Sequence, residues 1–288
     1  MFEGVIPALV TPFKENFEVD FEGIAKNLDY LEKYVDAVVP AGTTGEAATL
    51  SHEEHVEVIK YVCEVAKKPV IAGAGSNSTR EALFLAKEAE KAGADAVMLV
   101  TPYYNKPNAE GLYRHYKAVA DEVSIPILVY NVPSRTGINT TPDVVEKLAS
   151  IERVVGIKEA SGNLKQVAEI IRRLGDRFIV LSGDDFMTLP ILLLGGKGVI
   201  SVAANVAPKL MKEMYEAFKS GNVEKARELH YKLMPLFEAL FIDTNPIPVK
   251  KALELMGLPA GKPRMPLVEL SEEKTEKLKK VLESLQLI

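Results

Sequence analysis

Short runs of apolar, mostly β-branched residues recur along the chain with amphipathic helical stretches between them, and this alternation constrains the fold more than any other feature. The eight runs are Val5 to Thr11, Ala37 to Ala41, Val70 to Ala74, Ala96 to Thr101, Ile127 to Asn131, Val154 to Glu159, Ile179 to Ser182 and Val199 to Ala203. They are nearly continuous rather than alternating, as strands covered on both faces are, so they predict a parallel sheet with helices outside it. Right-handed crossovers let eight such units close into a (β/α)8 TIM barrel, with an open doubly wound sheet as the competing arrangement. Ser51 with Glu54 and Ser78 with Glu81 have the spacing of capping boxes, Thr141 precedes a first-turn proline, and Gly175 and Gly195-Gly196 mark helix exits. Further helices are expected over Lys209 to Ser220, Val223 to Phe241, Pro248 to Met256 and Ser271 to Leu285. The expected organisation is an α/β barrel over residues 1–222 followed by a C-terminal helical region over residues 223–288.

Composition narrows the function by exclusion. The formal charge of -5 is spread along 288 residues, leaving no basic face for nucleic acid or anionic lipid. The apolar run from Leu189 to Leu194 is too short to span a bilayer and is interrupted by Pro190. No targeting pattern is evident, so a cytoplasmic protein is expected. The single cysteine, Cys63, cannot form an internal disulfide, and its spacing among Val58, Ile59 and Val62 marks it as a small core residue.

In a barrel, chemistry gathers at the C-terminal ends of the strands, and several of these ends are unusual. The second run leads into Gly42-Thr43-Thr44-Gly45-Glu46, whose glycines and hydroxyls suit either an ordinary turn or a carboxylate site. The fourth ends in Thr101-Pro102-Tyr103-Tyr104-Asn105 and the fifth in Tyr130-Asn131-Val132-Pro133-Ser134-Arg135-Thr136-Gly137. Arg135 could take a carboxylate through two prongs. The sixth carries Lys158 in an apolar strand, where burial favours a neutral, nucleophilic amine. Taken alone, that lysine reads better as one that reaches solvent or pairs with Glu159; the barrel context, the tyrosines and the anion-ready turn together reverse the preference toward chemistry. His52 and His55 lie on one helical face but lack a zinc spacing, the 73–78 segment lacks a dinucleotide fingerprint, and Gly195-Gly196-Lys197-Gly198 lacks a phosphate-loop spacing.

The GTTGE turn at Gly42 to Glu46, TPYYN at Thr101 to Asn105, YNVPSRTG at Tyr130 to Gly137 and the strand lysine at Lys158 resemble the dihydrodipicolinate synthase and N-acetylneuraminate lyase superfamily. The resemblance runs from Val5-Ile6-Pro7-Ala8 to Asn245-Pro246-Ile247-Pro248-Val249-Lys250, and Arg135 places it on the dihydrodipicolinate synthase side. It implies a lyase in which Lys158 forms a Schiff base with pyruvate, with Tyr130, Thr43 and Tyr104 as a proton relay and Tyr104 reaching a neighbouring subunit. Thr44 and nearby backbone would hold the pyruvate carboxylate, Arg135 the carboxylate of L-aspartate 4-semialdehyde, and Gly183 and Ile200 would line the pocket.

The implied product is 4-hydroxy-tetrahydrodipicolinate, on the diaminopimelate route to lysine, made without metal or organic cofactor. The resemblance also implies a homotetramer built as a dimer of tight dimers. Ala48, His52, His55, Gly75, Asn77, Glu81 and Tyr103 match an L-lysine effector pocket, or merely build a subunit interface. Competing readings are a pyruvate-dependent aldolase acting on 2-keto-3-deoxy sugar acids and a non-catalytic keto-acid or amino-acid sensor.

Overall fold

Successive side chains of a strand face opposite sides, and in Ile127–Asn131 both sides are apolar. Leu128 and Tyr130 join a cluster with Ile6, Val39, Ile71, Met98, Leu181 and Ile200 on the inner face. Ile127 and Val129 join the larger cluster beneath the helices. This double coverage is the reason the strands read as unbroken apolar runs. Each buried aliphatic side chain contributes about 1.5–3 kcal/mol, so a one-residue slip, which exchanges the two faces, is strongly disfavoured.

The computed structural model describes residues 2–288. Its named strands are β1 (Gly4–Pro7), β2 (Ile71–Gly73), β3 (Ala96–Val100), β4 (Ile127–Asn131), β5 (Val154–Glu159), β6 (Ile179–Ser182) and β7 (Gly198–Ser201). They form one parallel seven-stranded sheet in the order β1-β7-β6-β5-β4-β3-β2. The expected run at Ala37 to Ala41 is not a regular strand, yet it closes the barrel. Val39 bridges Ala8 and Val38 bridges Val70, both in parallel. Hydrogen bonds from Leu9 N to Val39 O and from Ile71 N to Val38 O, each 2.9 Å, stitch the segment between β1 and β2. The ladder stops at two bridges as the chain turns out into the 42–46 loop at Ala41, whose φ is 52°.

Ser51 and Glu54 form the expected reciprocal cap. At Ser78 only half of the box exists: Ser78 accepts from Glu81 N, while the Glu81 carboxylate turns to Ser76 and His52. Thr141 precedes Pro142 but makes no side-chain cap bond.

The last helices, Pro208–Lys219, Val223–Ala239, Ile247–Leu255 and Glu272–Ser284, share one apolar cluster with Val5 of β1 and Val199 of β7. They therefore pack on the side of the barrel where its first and last strands meet. Cys63 is half-buried against the main cluster, and burial pushes its thiol up to about 11. Among the described residues no helix is long and apolar enough to cross a membrane.

Candidate active site

Lys158 sits near the end of β5, and only 6% of its surface is exposed. Because strand side chains alternate, it faces the barrel interior while Glu159 faces the helices. The two do not pair. Glu159 is satisfied instead by Asn131 Nδ2 at 3.0 Å, Gln166 Nε2 at 3.2 Å and Ser161 N at 2.7 Å. Among the described residues no carboxylate forms an ion pair with Lys158. Its Nζ lies 4.1 Å from the centroid of the Tyr130 ring, which stands beside it in register on β4. A contact with a phenol face is worth about 1–2 kcal/mol to a charged amine, and it leaves the Lys158 nitrogen without a carboxylate partner. Gly183, just past β6, leaves room for this side chain: a Cβ there would stand 3.0 Å from Lys158 Cγ and 3.1 Å from its Cε. Ile200 of β7 lies in the same interior cluster as Tyr130.

A cavity of about 560 Å³ opens above these strand ends. Thr43, Tyr130 and Arg135 line it, and so do Ala48, His52, His55, Gly75, Glu81 and Tyr103. Thr43, Tyr130 and Arg135 thus share one space with most of the residues expected for an effector, while Lys158, Thr44, Gly183 and Ile200 are not among its lining residues. Asn77 is not among its lining residues; its carbonyl accepts from Asn105 Nδ2 at 2.9 Å. Tyr104 is not brought to Lys158: it is 91% exposed, with a φ of 70°, and projects from the β3 end into solvent.

The 42–46 loop is wound tightly, with Gly45 N and Glu46 N bonded back to Gly42 O and Thr43 O, both at 3.1 Å. Among the described residues, the N–H groups of Thr43 and Thr44 donate to no protein acceptor, the disposition an anion requires. Thr44 itself is buried, and its Oγ1 accepts from Asn245 Nδ2 at 3.0 Å. Arg135 Nη2 donates to the backbone carbonyl of the same Asn245 at 3.2 Å. Glu46, in left-handed backbone, is locked by Lys250 Nζ at 2.7 Å and by Arg264 N at 2.8 Å. Asn245, Glu46 and Lys250 carried no site expectation. Their only sequence signals were membership of the two motifs, because each acts across some 200 residues of chain.

The two histidines are engaged with protein groups. His52 Nε2 is 2.7 Å from Glu81 Oε1, and His55 Nε2 is 2.7 Å from Gly73 O. Burial lowers the His55 pKa, so its ring is neutral with Nε2 as the donor to that carbonyl. Burial pushes the Glu81 carboxyl up, but hydrogen bonds from Ser76 and His52 outweigh it and hold the group below the usual range.

A parallel (β/α)8 barrel with an unpaired lysine buried at its C-terminal strand ends has the form of a Schiff-base lyase of the class I aldolase type. The pattern of the Dihydrodipicolinate synthetase family matches residues 1–285, and the chain belongs to that family. It is 78% identical over 288 residues, the whole of both chains, to the 4-hydroxy-tetrahydrodipicolinate synthase of Archaeoglobus fulgidus. Among solved structures, the chloride-inhibited dihydrodipicolinate synthase of Acinetobacter baumannii, complexed with pyruvate, superposes with a TM-score of 0.97 at 45% identity over 100% of both chains. The enzyme of Cyanidioschyzon merolae with lysine bound gives 0.97 at 44% identity, covering 100% of this chain and 99% of the other. The activity of the present chain is that of a 4-hydroxy-tetrahydrodipicolinate synthase, a lyase of the diaminopimelate route to lysine.

Proposed function

We propose that Lys158 is the Schiff-base residue for pyruvate and that the aldehyde partner is L-aspartate 4-semialdehyde. The observation that carries the reading is the buried, unpaired Lys158 amine stacked over Tyr130 beneath a cavity that also holds Thr43 and Arg135. The Lys158 nitrogen attacks the pyruvate ketone carbon, and the carbinolamine loses its hydroxyl as water, with Tyr130 and Thr43 moving the protons. Loss of a proton from the former methyl group of the imine gives an enamine. That carbon bonds to the aldehyde carbon, whose oxygen takes a proton. The amine of the aldehyde substrate then adds to the imine carbon and expels Lys158, closing the ring.

Thr44 and the free N–H groups of the 42–44 turn hold the pyruvate carboxylate, and Arg135 that of the aldehyde. Gly183 and Ile200 form the wall beside Lys158. Residues 1–222 make the catalytic barrel, while the region 223–288 supplies Asn245 and Lys250 behind the substrate turn. The compartment assigned to this reaction is the cytoplasm, which suits a chain with one unpaired cysteine.

Exposed Tyr104 completes the relay from a neighbouring copy, in a homotetramer built from two tight dimers. The Tyr104→Phe enzyme mixed with Lys158→Ala enzyme then regains activity in hybrid dimers. An active enzyme that sediments as a monomer would overturn this part of the reading.

A second proposal concerns L-lysine as an effector on the far side of the same cavity. Glu81, charged and held between Ser76 and His52, is suited to its ammonium, with Ala48, His55, Gly75, Asn77 and Tyr103 around it. Unchanged activity and no binding heat at millimolar L-lysine would sink it.

The test of the catalytic assignment is borohydride reduction in the presence of pyruvate, followed by peptide mapping and rates with aspartate semialdehyde against sugar aldehydes. Labelling is expected on Lys158 alone. Labelling that survives Lys158→Ala overturns the mechanism, and turnover of sugar aldehydes only would overturn the substrate.

A further inference from the structure

The Thr44 hydroxyl is buried, accepts a hydrogen bond from Asn245 Nδ2 at 3.0 Å, and donates to nothing among the described residues. A hydroxyl has one hydrogen and two lone pairs. An amide N–H directed into one lone pair leaves the hydroxyl hydrogen unspent, on a residue whose backbone N–H is also unspent among the described residues. The carbonyl of the same Asn245 accepts from Arg135 Nη2 at 3.2 Å. One residue from the C-terminal region therefore touches both groups that the reading above assigns to substrate carboxylates.

We propose that Asn245 is a positioning residue for the substrates: its side-chain amide commits the Thr44 hydroxyl to donating toward the keto-acid carboxylate, and its backbone carbonyl aims the Arg135 guanidinium at the carboxylate of the aldehyde. The inference rests on the substrate roles given above to Thr44 and Arg135. Burial gives the arrangement its force. Asn245 is only 5% exposed and Thr44 only 3%, so bulk water competes weakly for the hydroxyl. Lys250, a few residues further along and bonded to Glu46, ties the same segment of the C-terminal region to the 42–46 turn.

The two contacts separate experimentally because one uses the side chain and the other the backbone. Asn245→Asp keeps the shape but replaces the N–H donor with an acceptor, which draws the Thr44 hydrogen toward itself. The Michaelis constant for pyruvate is expected to rise about 10- to 100-fold, the range for losing a hydrogen bond to a charged group. The maximal rate at saturating pyruvate should stay within about 3-fold, and the Michaelis constant for the aldehyde should hold, since the carbonyl that meets Arg135 remains. Thr44→Val should add little further loss in the Asn245→Asp background. Asn245→Ser, too short to reach Thr44, provides the same readout if the aspartate variant fails to fold.

Wild-type affinity for pyruvate in either variant, or losses that add in full with Thr44→Val, overturns the proposal. Failure of the catalytic reading looks different: the wild-type enzyme itself would then show no pyruvate-dependent labelling at Lys158.

Discussion

Lys250 and Glu46, 204 positions apart in the chain, form an ion pair of 2.7 Å with both side chains only 2% exposed. Lys250 also donates to the carbonyls of Thr11 and Lys262, each at 3.2 Å, and lies 4.1 Å from the Phe13 ring centroid. Glu46 accepts from Arg264 N, and Arg264 in turn grips Glu54 through two nitrogens at 2.6 and 2.7 Å. The pair thus ties the 42–46 turn to the C-terminal region.

Removing one partner leaves the other charge buried and alone, which typically destabilises by about 3–5 kcal/mol. Lys250→Met and Glu46→Gln are each expected to lower stability by that order in urea denaturation. The double variant should lose clearly less than the sum. Full additivity would show that the two groups do not act as a pair.

Tyr130→Phe retains the ring beneath Lys158 and removes only the hydroxyl. The fold and the pyruvate-dependent labelling of Lys158 should persist, while kcat falls by about 10²- to 10⁴-fold, the span of general acid–base catalysis. Steady-state kinetics beside a thermal melt checks this, and an unchanged kcat would remove Tyr130 from the proton relay.

Gly183→Ala places a methyl group 3.0–3.1 Å from Lys158 Cγ and Cε and 2.8 Å from Ala160 Cβ. Overpacking of this kind costs about 1–3 kcal/mol, and here part of it displaces the Lys158 side chain. The rate of borohydride labelling by pyruvate should fall by more than about 10-fold. A labelling rate equal to wild type would mean that Lys158 moves aside freely.

Asp185, just past β6, is buried and accepts from Ser201 Oγ, from Val202 N at 3.0 Å and from Ala203 N at 2.9 Å. Burial outweighs these donors and pushes its pKa up to about 6 from an ordinary 3.8. Below the ordinary value both folded and unfolded chains carry the proton. Between there and about 6 only the folded chain keeps it, so the contribution of this group to stability falls as pH rises through that window, by on the order of 3 kcal/mol. Asp185→Asn lacks this slope, and its stability relative to wild type should therefore rise between about pH 4 and pH 7. Denaturant titrations that stay parallel across that range would exclude the effect.

The barrel was legible because each strand is apolar on both faces, and the candidate nucleophile because Lys158 breaks such a run. The irregular segment at Ala37 to Ala41 was readable as apolar chain, although not as the two-bridge closure it makes. The expected box at Ser78 is incomplete because the Glu81 carboxylate has tertiary partners in Ser76 and His52 that outcompete the Ser78 backbone. Tyr104 was recognisable from its motif, but its exposure on the single chain follows from the direction in which the β3 loop leaves the barrel.

By itself the sequence determined the strand–helix alternation and the family and singled out Lys158, Tyr130, Thr43, Thr44 and Arg135 as candidates, since period and local motif depend on neighbours along the chain. Only the tertiary structure decided that Lys158 stands over Tyr130 rather than pairing with Glu159, because strand alternation sends adjacent side chains to opposite faces. Only the tertiary structure brought Asn245 to Thr44 and Lys250 to Glu46. Hydrogen bonds and charges act over a few ångströms of space, and no local pattern encodes which residues two hundred positions apart will come that close.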